Sequence, residues 1–221
     1  MIAYTHKIHP RSRSIKIRIE QNGEVVVTTP RFIPKWSINA VVKKSDPWIQ
    51  RQFLKIKQQK NFGETPHTIK LFGKKYHKKI HLQTNQPIGV KIVGDELSIN
   101  PIEDSDKKIS SEINRFLKST AQRYILPRTK QLATKMKIKF NRILLKQQKT
   151  RWGSCSNQGN LNFNWRLVHC PVKIIDYVII HELAHRKHMN HSLAFWDLVK
   201  KYDPEYLKHR GWLKRHGLTL G

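Results

Sequence analysis

The sequence predicts an α+β fold in two parts, a β-rich N-terminal module with a helical insert over residues 1–105 and an α+β domain over residues 106–221. Three observations carry this reading. At 221 residues the chain exceeds the ~150 residues of a common domain and falls short of three. Period-two alternation dominates the first part, and apolar residues recur at helical spacing through most of the second. Hydrophobic residues make up 38% and aromatics 9%, with six Trp, enough to build a core and to exclude a wholly disordered chain.

Taken in order, Ile15, Ile17 and Ile19 alternate with Lys16 and Arg18, and Gln21-Asn22-Gly23-Glu24 turns the chain back into Val25-Val26-Val27, which predicts a hairpin. Over 38–60 the pattern becomes helical. Asp46-Pro47 marks the start of a second helix, with Asp as N-cap and Pro at the first helical position. Short strands follow over 68–72, 76–82 and 90–100, separated by Gly73, Pro87 and the Gly94-Asp95 turn. From Asp106 the spacing of Ile109, Ile113, Phe116, Leu117 and Tyr124 predicts a long amphipathic helix, which Pro127 must kink or divide before Met136. Residues 138–148 read as a strand, 156–160 as a turn and 161–167 as a returning strand. Two helices, over 172–188 and 192–202, complete the expected elements, and no internal repeat or low-complexity tract occurs.

The charge balance is extreme: 43 Lys and Arg against 15 Asp and Glu leave a net charge of +28. No Asp or Glu occurs between Ile113 and Ile175, a stretch holding Arg115, Lys118, Arg123, Arg128, Lys130 and more. Such a field attracts polyanions, nucleic acid first and anionic membranes second, the alternative being a solvated basic surface. Two cysteines, Cys155 and Cys170, lack the companions of a four-cysteine zinc site and read as buried thiols. The first 30 residues contain no apolar block of the signal-peptide kind and no run approaches the ~18 apolar residues of a membrane span. The expectation is a cytoplasmic protein without a transmembrane segment.

Chemistry concentrates in His181-Glu182-Leu183-Ala184-His185, which follows the apolar run Tyr177-Val178-Ile179-Ile180. In this H-E-x-x-H pattern both imidazoles lie on one helix face, one turn apart, and can reach a single zinc ion, while Glu182 beside them can take a proton from the water that the metal acidifies. That is the chemistry of a metal-dependent hydrolase. A catalytic zinc needs a third ligand, for which His188, His191, Asp197, Asp203 and Glu205 are at hand, and His191 is the choice. On a straight helix His191 would lie about 9 Å beyond His185 and on another face, so the helix must stop first. Met189-Asn190 supplies the expected stop, since Asn tolerates the left-handed conformation, and Ser192 is placed to cap the next helix. His188 reads as a solvated or supporting side chain. The spacing to His191 is that of metzincins, yet His188 stands where their Gly would be and no Met follows Met189 for a Met-turn.

Lys149-Thr150-Arg151-Trp152-Gly153-Ser154-Cys155-Ser156, Asn162-Phe163-Asn164-Trp165-Arg166-Leu167, Tyr177-Val178, His181 to His185, Asn190-His191-Ser192 and Phe195-Trp196 together resemble the YgjP-like metallopeptidase family, related to the SprT-like zincins. The similarity runs through nearly the whole chain, including Phe72-Gly73, and is most specific over 149–212. It implies a zincin-like C-terminal domain with His181, His185 and His191 on zinc and Glu182 as general base. About the substrate it implies little.

The segment before the zinc helix has its own physical reading. A strand there can offer its edge to an extended peptide, with Arg151 meeting a substrate carboxylate or a developing oxyanion. The alternative pairs Arg151 with an acidic side chain and places Trp152 in the core. Asn162 and Asn164 share a strand face and are candidate substrate contacts, whereas Trp165, Phe195, Trp196 and Trp212 read as core. The leading function is therefore a zinc peptidase acting on a peptide or protein. The alternatives are a metal-dependent nucleotide phosphohydrolase, disfavoured by the lack of a phosphate-binding loop and a carboxylate cluster, and a nucleic-acid-associated protein with structural zinc, disfavoured by the intact Glu182.

Overall fold

The computed structural model describes residues 2–20, 23–60, 63–82, 87–148 and 150–216. Gln21 and Asn22 of the expected turn, and Lys149 of the family motif, lie outside the described residues. The chain divides into two compact units, Met1–Asn61 and Phe62–Gly221.

In the first unit strands β1 (Thr5–Ile8), β2 (Lys16–Ile19) and β3 (Val25–Thr29) precede helices α1 (Lys35–Lys44) and α2 (Asp46–Lys60). The hairpin is present, with β2 antiparallel to β3 and Ile17 opposite Val27. β1 adds a parallel partner on the other side of β3. Its four residues are all exposed, so no alternation announced it. Val25, Val27, Ile38, Val42 and Ile49 form the core, with Ile15, Ile17 and Ile19 packed on it. Asp46 is the first residue of α2 rather than its cap. Ser45 takes both junction roles, its N–H donating to the Val41 carbonyl while its own carbonyl accepts from Trp48 and Ile49.

The second unit opens with a four-stranded sheet in the order β4 (Thr68–Leu71), β5 (Lys74–Ile80), β7 (Glu96–Asn100), β6 (Gly89–Val93). Its buried side chains Ile69, Leu71, Leu97 and Ile99 share one core with helix α3 (Asp106–Met136). The sheet has no core of its own, and the compact units accordingly part near residue 61 instead of 105. Its β4–β5 turn, where Phe72 and Gly73 both have positive φ (52° and 83°), is pinned by the Phe72 N–H donating to the Val168 carbonyl at 2.7 Å.

α3 runs unbroken through Pro127. Proline removes one N–H from the ladder, and the long inner face of Ile109, Ile113, Leu117, Ala121, Ile125, Leu132 and Met136 holds the helix through it. α3 ends on Lys137 in the left-handed conformation, φ 54°. A three-stranded sheet follows in the order β8 (Arg142–Lys146), β10 (Asn160–Asn164), β9 (Gly153–Cys155). β8 runs parallel and β9 antiparallel to β10. β10 stops at Asn164, whose Oδ1 accepts from the Arg166 N–H and starts a 3₁₀ turn over Trp165–His169.

Helices α4 (Val172–Ala184), α5 (Leu193–Tyr202) and α6 (Tyr206–Arg215) complete the unit. α6 was not foreseen because Leu213 is its only buried residue. The architecture is α+β, with three mixed sheets and six helices among the described residues. No helix of the described residues is long and apolar enough to cross a membrane.

Leu117 is fully buried at the middle of α3. Leu117→Ala should cost about 2–5 kcal/mol of stability, measured by urea unfolding, whereas the partly exposed Leu144→Ala should cost less than about 1 kcal/mol.

Candidate metal centre

Ile174, Ile175, Tyr177, Val178, Ile179, Ile180, Leu183 and Ala184 are all buried, so α4 is apolar nearly all round and lies inside the core. It carries His181 and Glu182 with it, each 1% exposed. Its end comes earlier than Met189-Asn190. His185 is the C-cap, and the Arg186 and Lys187 N–H groups donate to carbonyls three residues back, which tightens and closes the helix. The left-handed Asn190 is not required: among the described residues only Phe32, Phe72 and Lys137 show positive φ outside glycine. Ser192 occupies the N-cap of α5 without a side-chain capping bond.

The turn brings His191 back over the α4 pair. His181 Nε2 lies 3.2 Å from His185 Nε2 and 3.1 Å from His191 Nε2. The His185 ring is oriented from behind, its Nδ1–H donating to the His188 carbonyl at 3.2 Å and leaving Nε2 as the lone-pair nitrogen. Two ligands at ~2.05 Å from a tetrahedral zinc are ~3.3 Å apart, so the donor set has the spacing that one ion requires. Burial, reinforced by the neighbouring imidazoles, lowers the His181 pKa to about 2, and burial lowers those of His185 and His191. All three are held neutral, the form that binds metal. Among the described residues these three form the group, with no fourth His, Cys or carboxylate within reach.

Glu182, next to His181 in the chain, packs against β9. A Cβ built on Gly153 would sit 2.5 Å from its Oε1, so only glycine lets the strand approach the carboxyl this closely. Oε1 is buried without a hydrogen-bond partner. Burial pushes the Glu182 pKa up to about 8, opposed by the positive charge of Arg151.

Phe195 and Trp196 wall the imidazoles. The Phe195 ring centroid lies 4.7–4.9 Å from all three, and Trp196 stacks on His191 at 5.4 Å and 21°. α6 adds Arg210, 4.7 Å over the Trp196 ring, and His209, whose Nδ1 is 2.7 Å from Asp203 Oδ2. The aromatic residues read as core do pack there, but Phe195 and Trp196 also shape the site. Gly153 stands in the family motif without its reason, and Arg210 carried no signal, because a close backbone approach and a cross-helix stacking contact have no local pattern.

Among the other sites named from sequence, Arg151 is exposed and acts on Glu182 through its charge. Trp152 is wholly buried. Asn162 donates from Nδ2 to Ser154 Oγ at 3.3 Å, across to β9. Asn164 corrects the expectation of a cleft-facing contact. It is fully buried, its Nδ2 donates to the Gln148 and Arg151 carbonyls and its Oδ1 accepts from Arg166, so its amide braces the backbone. His188 contributes its carbonyl and not its ring. Asp203 is paired with His209, Glu205 with Lys208, and Asp197 is exposed, outside the metal-ligating group. Cys170 is buried, whereas Cys155 on β9 is only half-buried.

The family described as YgjP-like, metallopeptidase domain, matches residues 13–216. No curated protein matches the chain. Among solved structures, the metallopeptidase zymogen abylysin of Pyrococcus abyssi is 18% identical, with 44% of this chain and 99% of that chain covered and a TM-score of 0.41. The metallopeptidase zymogen jannalysin of Methanocaldococcus jannaschii is 21% identical, with 41% and 94% covered and a TM-score of 0.37.

The contact between β9 and Glu182 yields a test of this geometry. Gly153→Ala should destabilise the protein by about 1–3 kcal/mol through overpacking. In a Glu182→Ala background, with the carboxyl gone, the same substitution should cost less than about half as much. Chemical denaturation of the four proteins of the cycle measures the coupling, and strict additivity would mean that Gly153 and Glu182 do not meet.

Proposed function

Since the chain belongs to the YgjP-like metallopeptidase family, we propose that it is a zinc-dependent peptidase of the reducing cytosol in which His181, His185 and His191 hold the ion and Glu182 is the general base. The observation that carries this reading is the convergence of three neutral imidazoles with Nε2 contacts of 3.1 and 3.2 Å. An all-imidazole set suits zinc among the available divalent metals, and the free Cys155 and Cys170 accord with a reducing compartment.

When bound, the ion polarises the scissile carbonyl and acidifies the attacking water. The chain's own residues do the rest. Glu182 receives the proton of that water at its unpartnered Oε1 and passes it to the leaving amine. β9 is the edge of its sheet, paired with β10 alone, so its free side can take an extended peptide as a further strand, with the Glu182 carboxyl directly behind Gly153. Arg151, exposed two residues before Gly153, meets a substrate carboxylate or the charge that develops on the carbonyl oxygen. Asn162 holds Ser154 in that edge and faces the peptide beside it. Phe195 and Trp196 exclude water from one flank and fix the ring planes.

Glu182→Gln should retain stoichiometric zinc and lose turnover of unfolded protein by about 10²–10⁴-fold, read by metal analysis together with release of a fluorogenic peptide. Retained turnover would remove Glu182 from the mechanism, and loss of the zinc would make it a ligand. His191→Ala should weaken zinc binding by more than the ~10–100-fold that outer-sphere changes cost, whereas His188→Ala should leave it nearly unchanged. Equal losses in competition titrations against a chelator would dismiss His191 as third ligand.

A further inference from the structure

We propose that a groove along the outer face of α3 is a docking site for the phosphate backbone of nucleic acid, separate from the metal centre. The groove encloses about 760 Å³ between the N-terminal half of α3, which supplies Lys107, Asn114, Arg115 and Lys118, and the opposite wall, which supplies Gln147 after β8 and Arg166 of the 3₁₀ turn. The remaining lining is serine and glutamine; no carboxylate and no apolar side chain reaches it. Lys107, Asn114 and Lys118 recur at helical spacing and share one face of α3.

The acids around the start of α3, Glu103, Asp104 and Asp106, are not among the residues that line the groove. Glu112, in the middle of the same helical stretch, is buried on the inner side, where its Oε1 accepts from the Ile102 N–H. Asp176 is bound to Arg128 at 2.6 Å, Asp95 to Lys74 at 2.7 Å and Glu205 to Lys208 at 2.6 Å. Among the described residues, Lys107, Arg115, Lys118 and Arg166 enter no ion pair. Two of these cations are also held in place: Lys118 Nζ and Arg166 Cζ lie 5.8 and 5.4 Å over the Trp165 ring, which lowers the entropy lost when they meet an anion.

A lining made only of ammonium, guanidinium, amide and hydroxyl groups is complementary to phosphate oxygens in a row. It offers no apolar group to enter a bilayer and no exposed aromatic platform on which single-stranded bases would stack, Trp165 being 5% exposed beneath its two cations. A duplex backbone, read without sequence preference, fits it best. Arg166, at one wall of the groove, is joined to the segment before β9 through Asn164, which accepts its N–H and donates to the Arg151 carbonyl. A protein bound to the same nucleic acid would be held beside the peptidase edge.

The experiment is fluorescence anisotropy of the full-length, metal-loaded protein with a labelled duplex DNA of about 20 base pairs. Arg115→Gln/Lys118→Gln/Arg166→Gln is compared with Lys130→Gln/Lys135→Gln/Lys139→Gln, which removes the same charge from exposed positions outside the groove. At about 50 mM salt the groove variant should bind about 10-fold or more weakly and its log K against log salt slope should fall by about 2–3, whereas the control should lose less than about 3-fold. Arg115→Lys/Lys118→Arg/Arg166→Lys, which keeps every charge, should bind nearly as wild type. Unchanged zinc content and far-ultraviolet circular dichroism of the variants report an intact fold. Equal losses in the two triple variants, or no binding of the duplex by wild type at low salt, would overturn the proposal. So would groove-dependent binding to phosphatidylcholine–phosphatidylserine vesicles without binding to DNA.

Discussion

Helix α4 has to carry two imidazoles and a carboxyl group through an apolar core. Burying an ionised side chain without a partner is costly, and the surroundings of α4 answer this by keeping the groups neutral: burial lowers the histidines and raises Glu182 to about 8. A divalent cation held between the imidazoles would oppose this preference at Glu182, because its charge would favour the carboxylate that burial disfavours. The imidazoles and the carboxyl group are thereby coupled through the same low dielectric. The helix is accordingly enclosed, by Phe195 and β9 among others, rather than opened to solvent along its length.

The third imidazole depends on where α4 stops. A regular continuation would carry His191 past the pair, so the switch to three-residue bonds after His185 is what turns the chain. The same turn sets the His188 carbonyl against His185 Nδ1, so one backbone conformation both returns His191 and orients His185. Trp196 then stacks on His191 from the start of α5 and on Tyr206 from α6 at 5.4 Å. The imidazole on the least regular segment is thus held from two helices, which offsets its exposure.

Much of this was legible in the sequence because it is written in local periods. The hairpin of Ile17 and Val27, the inner face of α3 and the helical spacing of His181 and His185 each follow from residues a few positions apart. What was hidden depends on distant partners. The β4–β7 sheet looked like part of the first module until Ile69 and Leu97 were seen to share their core with Leu117. Asn164 looked like a cleft residue by strand alternation, yet three backbone groups claim its amide. Gly153 stood in the family motif without its reason, which lies in a carboxyl on a helix that follows much later in the chain. The turn at Asn190 was sought in a residue preference, whereas hydrogen-bond spacing in the last turn of α4 decided it.

The charge follows the same division between local composition and tertiary placement. With 15 acids against 43 bases, some carboxylates join elements: Asp176 ties α4 to α3 through Arg128, and Asp203 holds His209 at the junction of α5 and α6. Glu182 and Glu112 are buried. The cations on the outer face of α3 therefore contribute little to cohesion and oppose it slightly by mutual repulsion. Lys118 and Arg166 are gathered over the Trp165 indole, while Glu112 of the same helix is turned inward. The stability of the unit rests on the apolar core around α3 and α4, to which the basic face contributes little.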